Sequence, residues 1–289
     1  MSNNKDTLEN IKKLREITGV GFKDCKVALD ETKGDIEKSV EFLRKKGIAK
    51  ASKKMSRTAT EGLALIEEKN GEISLLEINS ETDFVAKNKD FITFCKELSK
   101  INFINKGDLE KLKNSKMQDG KLVKDSLVNL IAKIGEKITI RRSIFFDNKI
   151  GTNFSYVHSA LEKNIGKIVS VVKIDGITKG KNDDIGLKLS MHIAASNPLA
   201  IDKKEVKKEL IDKELEIIKA EIINSGKPKE MAEKISEGKI TKFINENTLL
   251  NQIWIMDPKK KVSDILKENS SDKALQVLDF VRYKVGEGV

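Results

Sequence analysis

The chain has few of the residues on which many enzymes and secreted proteins depend. Its two cysteines, Cys25 and Cys95, lie far apart, which is typical of reduced thiols in a cytosol rather than of a disulfide framework. Two histidines without a cysteine cluster argue against a zinc site. No apolar run is long enough to span a membrane, and the opening "MSNNKDTLEN" lacks the apolar core of a signal peptide. We therefore expect a cytoplasmic protein without a membrane segment.

Aromatic residues are scarce, at 5% of 289 residues, and one of them stands in an unusual place. The stretch "NSETDFVAKN", residues 79–88, sets the pair Phe84-Val85 inside almost wholly polar sequence. No apolar periodicity explains an aromatic residue there. Two interpretations remain open from the residues alone: Phe84 anchors a loop to the core, or it is a wedge that enters another protein.

Charged residues make up 35% of the chain, and 55 basic residues against 45 acidic ones give a net charge of +10. The basic residues are densest in "RKKGIAKASKKMSR", residues 44–57, which contains no acid. This run is interpreted as a solvated linker or as a contact for RNA. No aromatic residues interleave for base stacking, which favours the linker.

Helical spacing and glycine stops predict three short helices over residues 6–47, ending at Gly19, Gly34 and Gly47. Further on, Asn70-Gly71 between two apolar runs predicts a β-hairpin, and a helix follows it. Two strands and a helix recur over residues 155–196, which suggests two related halves. The closing "LDFVRYKVGEG" predicts a strand that returns to the second half.

Apolar residues spaced by about 3.6 over residues 206–222, and a second such stretch after the break at 225–228, predict a helical hairpin arm. The fold class is thus α+β, with a helical N-terminal module, a two-part α/β core with small antiparallel sheets, and the arm. The predicted domains are 1–55 for the N-terminal module and basic linker, 56–143 for the first half of the core, 144–202 for its second half (completed by 250–289), 203–249 for the arm and 250–289 for a C-terminal segment with the final strand.

Signals for catalysis are weak. Gly166-Lys167 resembles the end of a phosphate-binding loop, but the glycine that such a loop needs five residues earlier is Leu161. Glu81 and Asp83 could form a carboxylate pair, yet no general-acid partner is evident, and Asp83 is explained more simply as a helix cap. The sequence therefore predicts a protein that is not an enzyme.

Six separated stretches resemble the bacterial translation elongation factor Ts family, in the same order along the chain from about residue 8 to the C-terminus. They are "LREITGVGFKDCKVALDETKGDIEKSVEFLRKKG", "EINSETDFVAKNKDF", "IGEKITIRR", "MHIAASNP", "GKPKEMAEKISEGKITKF" and "VRYKVGEG". The resemblance implies a cytoplasmic nucleotide exchange factor for the GTPase elongation factor Tu, with no cofactor and no catalytic residue of its own. It also implies that the N-terminal module is similar to ubiquitin-associated domains.

The resemblance further implies a set of partner-binding residues. Members of the family insert the segment that is Thr82, Asp83, Phe84 and Val85 here into the GTPase domain, beside the nucleotide and magnesium site, so that GDP leaves and GTP can rebind. Phe84 would be the wedge, and Ile134, Gly135 and Glu136 would line the same contact. The docking edge of the N-terminal module would comprise Leu14, Arg15, Thr18, Gly19, Phe22 and Lys23.

His158 falls at a position that the family uses for a contact with a more distant domain of elongation factor Tu, although "YVHSA" departs from the usual neighbourhood. The resemblance leaves a homodimer through the core or the arm open, and implies no membrane and no direct nucleic-acid role. The alternative from composition is a basic protein that associates with RNA or the ribosome through residues 44–57 and the lysine-rich arm.

Overall fold

In the computed structural model, residues 3–18, 20–177, 182–224 and 229–289 are described. Helices and two small antiparallel sheets alternate along the chain, which confirms the α+β class. Among the described residues, no helix is both long enough and apolar enough to cross a membrane. Gly19 and the predicted break at 225–228 lie outside the described residues.

The N-terminal module consists of three helices, α1 (Asn3–Thr18), α2 (Phe22–Glu31) and α3 (Ile36–Lys54). Its small core joins one apolar stripe from each helix, and its fully buried members include Leu14 and Cys25. The side chain of Asp35 accepts a hydrogen bond from the backbone N–H of Lys38 and so caps α3, as predicted.

The third helix does not end at Gly47, so the prediction of a stop and a linker there was wrong. Helix α3 continues to Lys54 and packs against the core. Gly47 is buried in this contact, where an added Cβ would lie 3.4 Å from Cβ of Ala132 and 4.0 Å from Cγ1 of Val128. Close packing against a neighbouring helix offsets the cost of glycine in a helix interior, about 1 kcal/mol.

The first sheet begins with the predicted hairpin. Strands β1 (Glu61–Lys69) and β2 (Glu72–Ser80) are joined by Asn70 and Gly71, whose φ angles are 54° and 77°. Two consecutive residues with positive φ are what a two-residue hairpin turn requires. After β2 come α4 (Asp83–Ala86), α5 (Lys89–Ile104), α6 (Leu109–Asn114), α7 (Val123–Ile134) and β3 (Ile138–Phe146).

The rest of the chain completes the first sheet and builds the second. The elements that follow are β4 (Thr152–His158), β5 (Ile165–Gly166), β6 (Ile168–Asp175), α8 (Asp183–Ser196), the arm helices α9 (Lys208–Asn224) and α10 (Lys229–Asn247), then α11 (Val262–Glu268) and β7 (Gln276–Lys284). The sheet order is β3-β2-β1-β5 in the first sheet and β4-β6-β7 in the second. The final strand thus returns to the second half, as predicted.

The core has four layers: helices, first sheet, second sheet and helices. The apolar runs in β1 and β2 are continuous rather than alternating because both faces of these strands are buried. One face packs on α5 and α7, for example through Leu65 and Leu98. The other face packs on the second sheet, where Ile66 meets Val171. Helix α8 covers the far side of the second sheet.

A buried carboxylate fastens the C-terminal segment to the first sheet. Glu77 in β2 is fully buried and accepts hydrogen bonds from Arg141 Nη1 at 2.9 Å, Arg142 Nε at 2.5 Å and the Gly286 N–H at 2.9 Å. Burial alone raises the pKa of Glu77, but these donors outweigh it, so the net pKa lies below its usual value. The two halves of the core are therefore held together by polar as well as apolar contacts.

Candidate partner-binding site

The pair Phe84-Val85 is divided between the core and the surface. Helix α4 is a single turn, and its inner residues Val85 and Ala86 are buried against β1 and α5. Phe84 points the other way and is 80% exposed, the largest exposed fraction among the large hydrophobic side chains that the structure describes. Burying an aromatic ring is favourable, so an exposed one on a buried base suggests a surface for a partner.

Local sequence explains why the turn forms at this place. Thr82 is the last extended residue, with φ −124° and ψ 159°, and Asp83 begins the helix. Asp83 does not cap it, contrary to the prediction. Asp83 instead pairs with Lys87 one turn later at 2.8 Å, and this hydrogen bond lowers the pKa of Asp83. The side chain of Asn88 then accepts from the first N–H groups of α5 and so caps the next helix.

A carboxylate from another segment holds the start of α4. Glu136, two residues after α7, accepts hydrogen bonds from Thr82 through both oxygens: the backbone N–H lies 3.0 Å from Oε2 and Oγ1 lies 2.8 Å from Oε1. Gly135 ends α7 with φ 89°, the left-handed conformation that glycine adopts without strain, and so turns Glu136 toward Thr82. The structure thus brings the two sequence-predicted segments, 82–85 and 134–136, into direct contact.

The end of helix α3 reaches the same place. Lys54 donates to the carbonyl oxygen of Gly135, and Arg57 Nη1 lies 3.2 Å from Oε2 of Glu81. Glu81 Oε1 accepts from the backbone N–H of Lys137 at 2.5 Å. Burial raises the pKa of Glu81, but the bonds from Lys137 and Arg57 outweigh it and lower the net pKa. The carboxylate of Glu81 is therefore kept charged.

Together these contacts form what we term the bracing network, in which three separate stretches of chain meet at the base of α4. Its members are Lys54, Arg57, Glu81, Thr82, Gly135, Glu136 and Lys137. Lys54, Arg57, Glu81 and Lys137 were not among the residues predicted from the sequence. No local signal could have found them, because each acts through a residue that is distant along the chain.

The residues predicted for the docking edge of the N-terminal module are divided in the structure. Arg15, Phe22 and Lys23 are exposed, whereas Thr18 is half-buried and donates to the carbonyl oxygen of Leu14 at 2.6 Å. Leu14 itself is fully buried in the module's core and can only support that edge from inside. Gly19 lies outside the described residues.

His158 lies at the end of β4, an edge strand of the second sheet, and is not a member of the bracing network. Its side chain is exposed, and Nδ1 lies 3.2 Å from the hydroxyl of Tyr156. Phe84 and His158 are thus both exposed, but α4 packs on the first sheet, whereas His158 belongs to the second.

Several cations of the basic run at residues 44–57 have partners within the part of the chain that the structure describes. Arg44 pairs with Asp125 at 3.1 Å, Lys46 pairs with Asp24 at 3.1 Å, and Lys45 pairs with Glu41. Lys54 and Arg57 belong to the bracing network. Most of the positive charge in this run is therefore used within the chain.

Comparison with known proteins identifies the family of the chain. The family model described as elongation factor TS matches residues 81–287. The chain belongs to the elongation factor Ts family. It is 40% identical to elongation factor Ts of Maricaulis maris over 96% of this chain and 91% of the relative. It is 40% identical to elongation factor Ts of Clostridium botulinum (strain Alaska E43 / Type E3) over 97% of this chain and 93% of the relative. It is 41% identical to that of Methylobacterium nodulans over 98% of this chain and 93% of the relative.

The region matched by the family model begins at Glu81 and so includes Phe84, Glu136 and His158. The N-terminal module precedes that region, but the relatives align over nearly the whole chain. The sequence similarity therefore includes the segment around Phe84 and also the N-terminal module.

Proposed function

We propose that this chain is the guanine-nucleotide exchange factor for elongation factor Tu and acts in the cytoplasm during translation elongation. It performs no covalent chemistry. Family membership supports the partner, and the observation that carries the mechanism is Phe84, an aromatic side chain 80% exposed on a helical turn whose other face is buried.

Exchange follows from thermodynamic linkage. A factor that binds the nucleotide-free GTPase more tightly than the GDP-bound form must weaken GDP binding by the same factor. Each 1.4 kcal/mol of coupling changes affinity about tenfold. Entry of Phe84 between helices of the GTPase domain can contribute roughly 1.5–3 kcal/mol from burial of its ring. That energy offsets the cost of loosening the magnesium and phosphate contacts of GDP.

The other predicted surfaces supply affinity rather than exchange. Arg15, Phe22 and Lys23 are exposed on the N-terminal module, and we propose that they dock on the same GTPase domain. We propose that His158 contacts a more distant domain. These contacts are common to both nucleotide states, so they position the wedge without favouring release of GDP.

The test is release of a fluorescent GDP from elongation factor Tu after rapid mixing with the chain, with magnesium present. We expect release to accelerate with the concentration of the chain and then to saturate. If release is not accelerated, the proposed function is wrong. In that case binding to RNA with a steep dependence on salt would favour the alternative of an RNA-associated protein.

A further inference from the structure

Glu136 is predicted from the family resemblance to line the contact with the GTPase, but its carboxylate is occupied inside the chain. We propose that Glu136 is a positioning residue, which holds Thr82 and thereby fixes the direction in which the side chain of Phe84 points away from the core. This inference rests on the proposed exchange function and adds a residue that acts on the partner only through Phe84.

The two hydrogen bonds between Glu136 and Thr82 form what we term the clamp. Both oxygens of Glu136 accept from the same residue, one from the backbone N–H of Thr82 and one from its hydroxyl, at 3.0 and 2.8 Å. Two bonds to one residue fix its backbone and its side chain together. Thr82 immediately precedes α4, so the clamp sets where this helix starts and how it is directed.

Helix α4 needs such a clamp because it is only four residues long. A single turn has too few internal hydrogen bonds to keep a fixed direction on its own. Its inner face is anchored by Val85 and Ala86 in the core. Glu136 holds the start of α4 and the core holds its inner face, so the backbone of Phe84 has a fixed position. Without Glu136, α4 can rotate about the buried pair, and Phe84 on the outer side moves most.

The clamp has a second support, which also connects it to the N-terminal module. Lys54, at the end of α3, donates to the carbonyl oxygen of Gly135, directly before Glu136. Arg57 and Lys137 hold Glu81, directly before Thr82. Lys54 at the end of α3 and Arg57 just after it therefore support both sides of the clamp, and α3 is the third helix of the N-terminal module.

Positioning and direct contact predict different kinetic changes. Loss of a contact with the partner weakens docking and raises the concentration that gives half-maximal release. Loss of positioning leaves the docking surfaces intact and lowers the limiting rate, because binding energy must then order the wedge before it can act.

The experiment is rapid mixing of elongation factor Tu and fluorescent GDP with increasing concentrations of the native chain, Glu136→Gln or Thr82→Val. In Glu136→Gln the amide oxygen can accept one bond and the amide nitrogen can only donate to the Thr82 hydroxyl oxygen, so both contacts lose their charge; in Thr82→Val the hydroxyl is missing. We expect each variant to lower the limiting rate about three- to tenfold, the equivalent of one net hydrogen bond. The half-saturating concentration should change less than twofold, on the order of experimental error.

Further variants separate positioning from general damage. Thr82→Ser restores the hydroxyl donor and should recover most of the rate lost in Thr82→Val. The double variant Thr82→Val/Glu136→Gln should lose less than the two single losses combined, because both changes affect the bond between the Thr82 hydroxyl and Glu136. Glu97→Gln is the matched control, since Glu97 also accepts a backbone hydrogen bond, from Gln118, but lies outside the bracing network. It should keep the native rate.

Amide hydrogen exchange provides a readout that does not depend on activity. The N–H of Thr82 should be protected in the native chain and should exchange faster in Glu136→Gln, while the midpoint of thermal unfolding stays close to native. The proposal is overturned if the limiting rate is unchanged in both clamp variants, or if only the half-saturating concentration rises. It is also overturned if Glu97→Gln loses as much rate. Failure of the native chain to accelerate release would instead refute the proposed function, before any variant is tested.

Discussion

Replacement of Phe84 by alanine should separate exchange activity from folding. The ring is 80% exposed in the free chain, so its removal takes almost no apolar area from the core. We expect the free energy of unfolding to change by less than about 0.5 kcal/mol, as for ordinary surface substitutions. The expected loss lies wholly in the complex with elongation factor Tu.

The size of that loss follows from the area of the ring. Burying a phenylalanine side chain contributes roughly 1.5–3 kcal/mol, which corresponds to a factor of about 10 to 150 in rate if the whole ring enters the partner only when GDP is displaced. Docking through the N-terminal module and the surface around His158 should persist. Phe84→Ala should therefore bind elongation factor Tu·GDP nearly as well as the native chain while releasing GDP slowly.

The assay is fluorescent GDP release at saturating factor, together with denaturant unfolding of each variant. Ile104→Ala is the matched control, because Ile104 is 76% exposed but lies at the end of α5, away from α4. It should keep the native release rate. Val85→Ala is the opposite case: Val85 is buried in the core, so its truncation should lower stability by about 1–3 kcal/mol.

Two results would refute this reasoning. Unchanged GDP release by Phe84→Ala would show that the exposed ring is not the wedge and that exchange depends on other contacts. A loss of stability comparable to that of Val85→Ala would show that Phe84 is an anchor of the fold, the interpretation that the sequence alone left open.

Three further predictions concern stability. In denaturant titrations, Gly286→Ala should lower the free energy of unfolding by about 1–3 kcal/mol more than Gly288→Ala does. Both glycines have positive φ, but only at Gly286 would an added Cβ lie 2.0 Å from the carbonyl oxygen of Thr60. Glu77→Ala leaves two partly buried arginines without their carboxylate and should cost about 3 kcal/mol. The pKa of Glu77 is lower in the folded chain than in the unfolded chain. The contribution of Glu77 to the free energy of unfolding should therefore be present above about pH 4.5 and disappear as the pH falls through the pKa of the folded state. Burial lowers the pKa of His192 more than its bond to Gln252 raises it, so below about pH 6.5 the unfolded chain takes up the proton first and stability falls. His192→Gln should therefore make the thermal-unfolding midpoint less dependent on pH below about pH 6.5.

Sequence patterns predicted the elements whose formation is local. The hairpin at Asn70-Gly71 depends on two residues that tolerate positive φ, and both are adjacent in the chain. The end of α7 depends on Gly135 in the same way. The arm depends on apolar spacing, and its helices meet through Ile218 and Ile222 of α9 as that spacing indicated.

The sequence misled where tertiary packing outweighed local preference. Gly47 has the form of a helix stop, yet α3 runs through it because Ala132 packs closely against that position. Asp83 has the form of a helix cap, yet it lies inside α4 and pairs with Lys87. The division of the chain into separate domains stays a prediction.

By itself, the sequence determined the fold class, the order of the elements, the family and the segment that carries Phe84, because each of these is encoded in neighbouring residues or in ordered motifs. Only the tertiary structure decided that Val85 faces the core while Phe84 faces solvent. It also decided that Glu136 clamps Thr82 from 54 residues away. Such contacts join segments that are distant in sequence and carry no local pattern, so they exist only once the chain has folded.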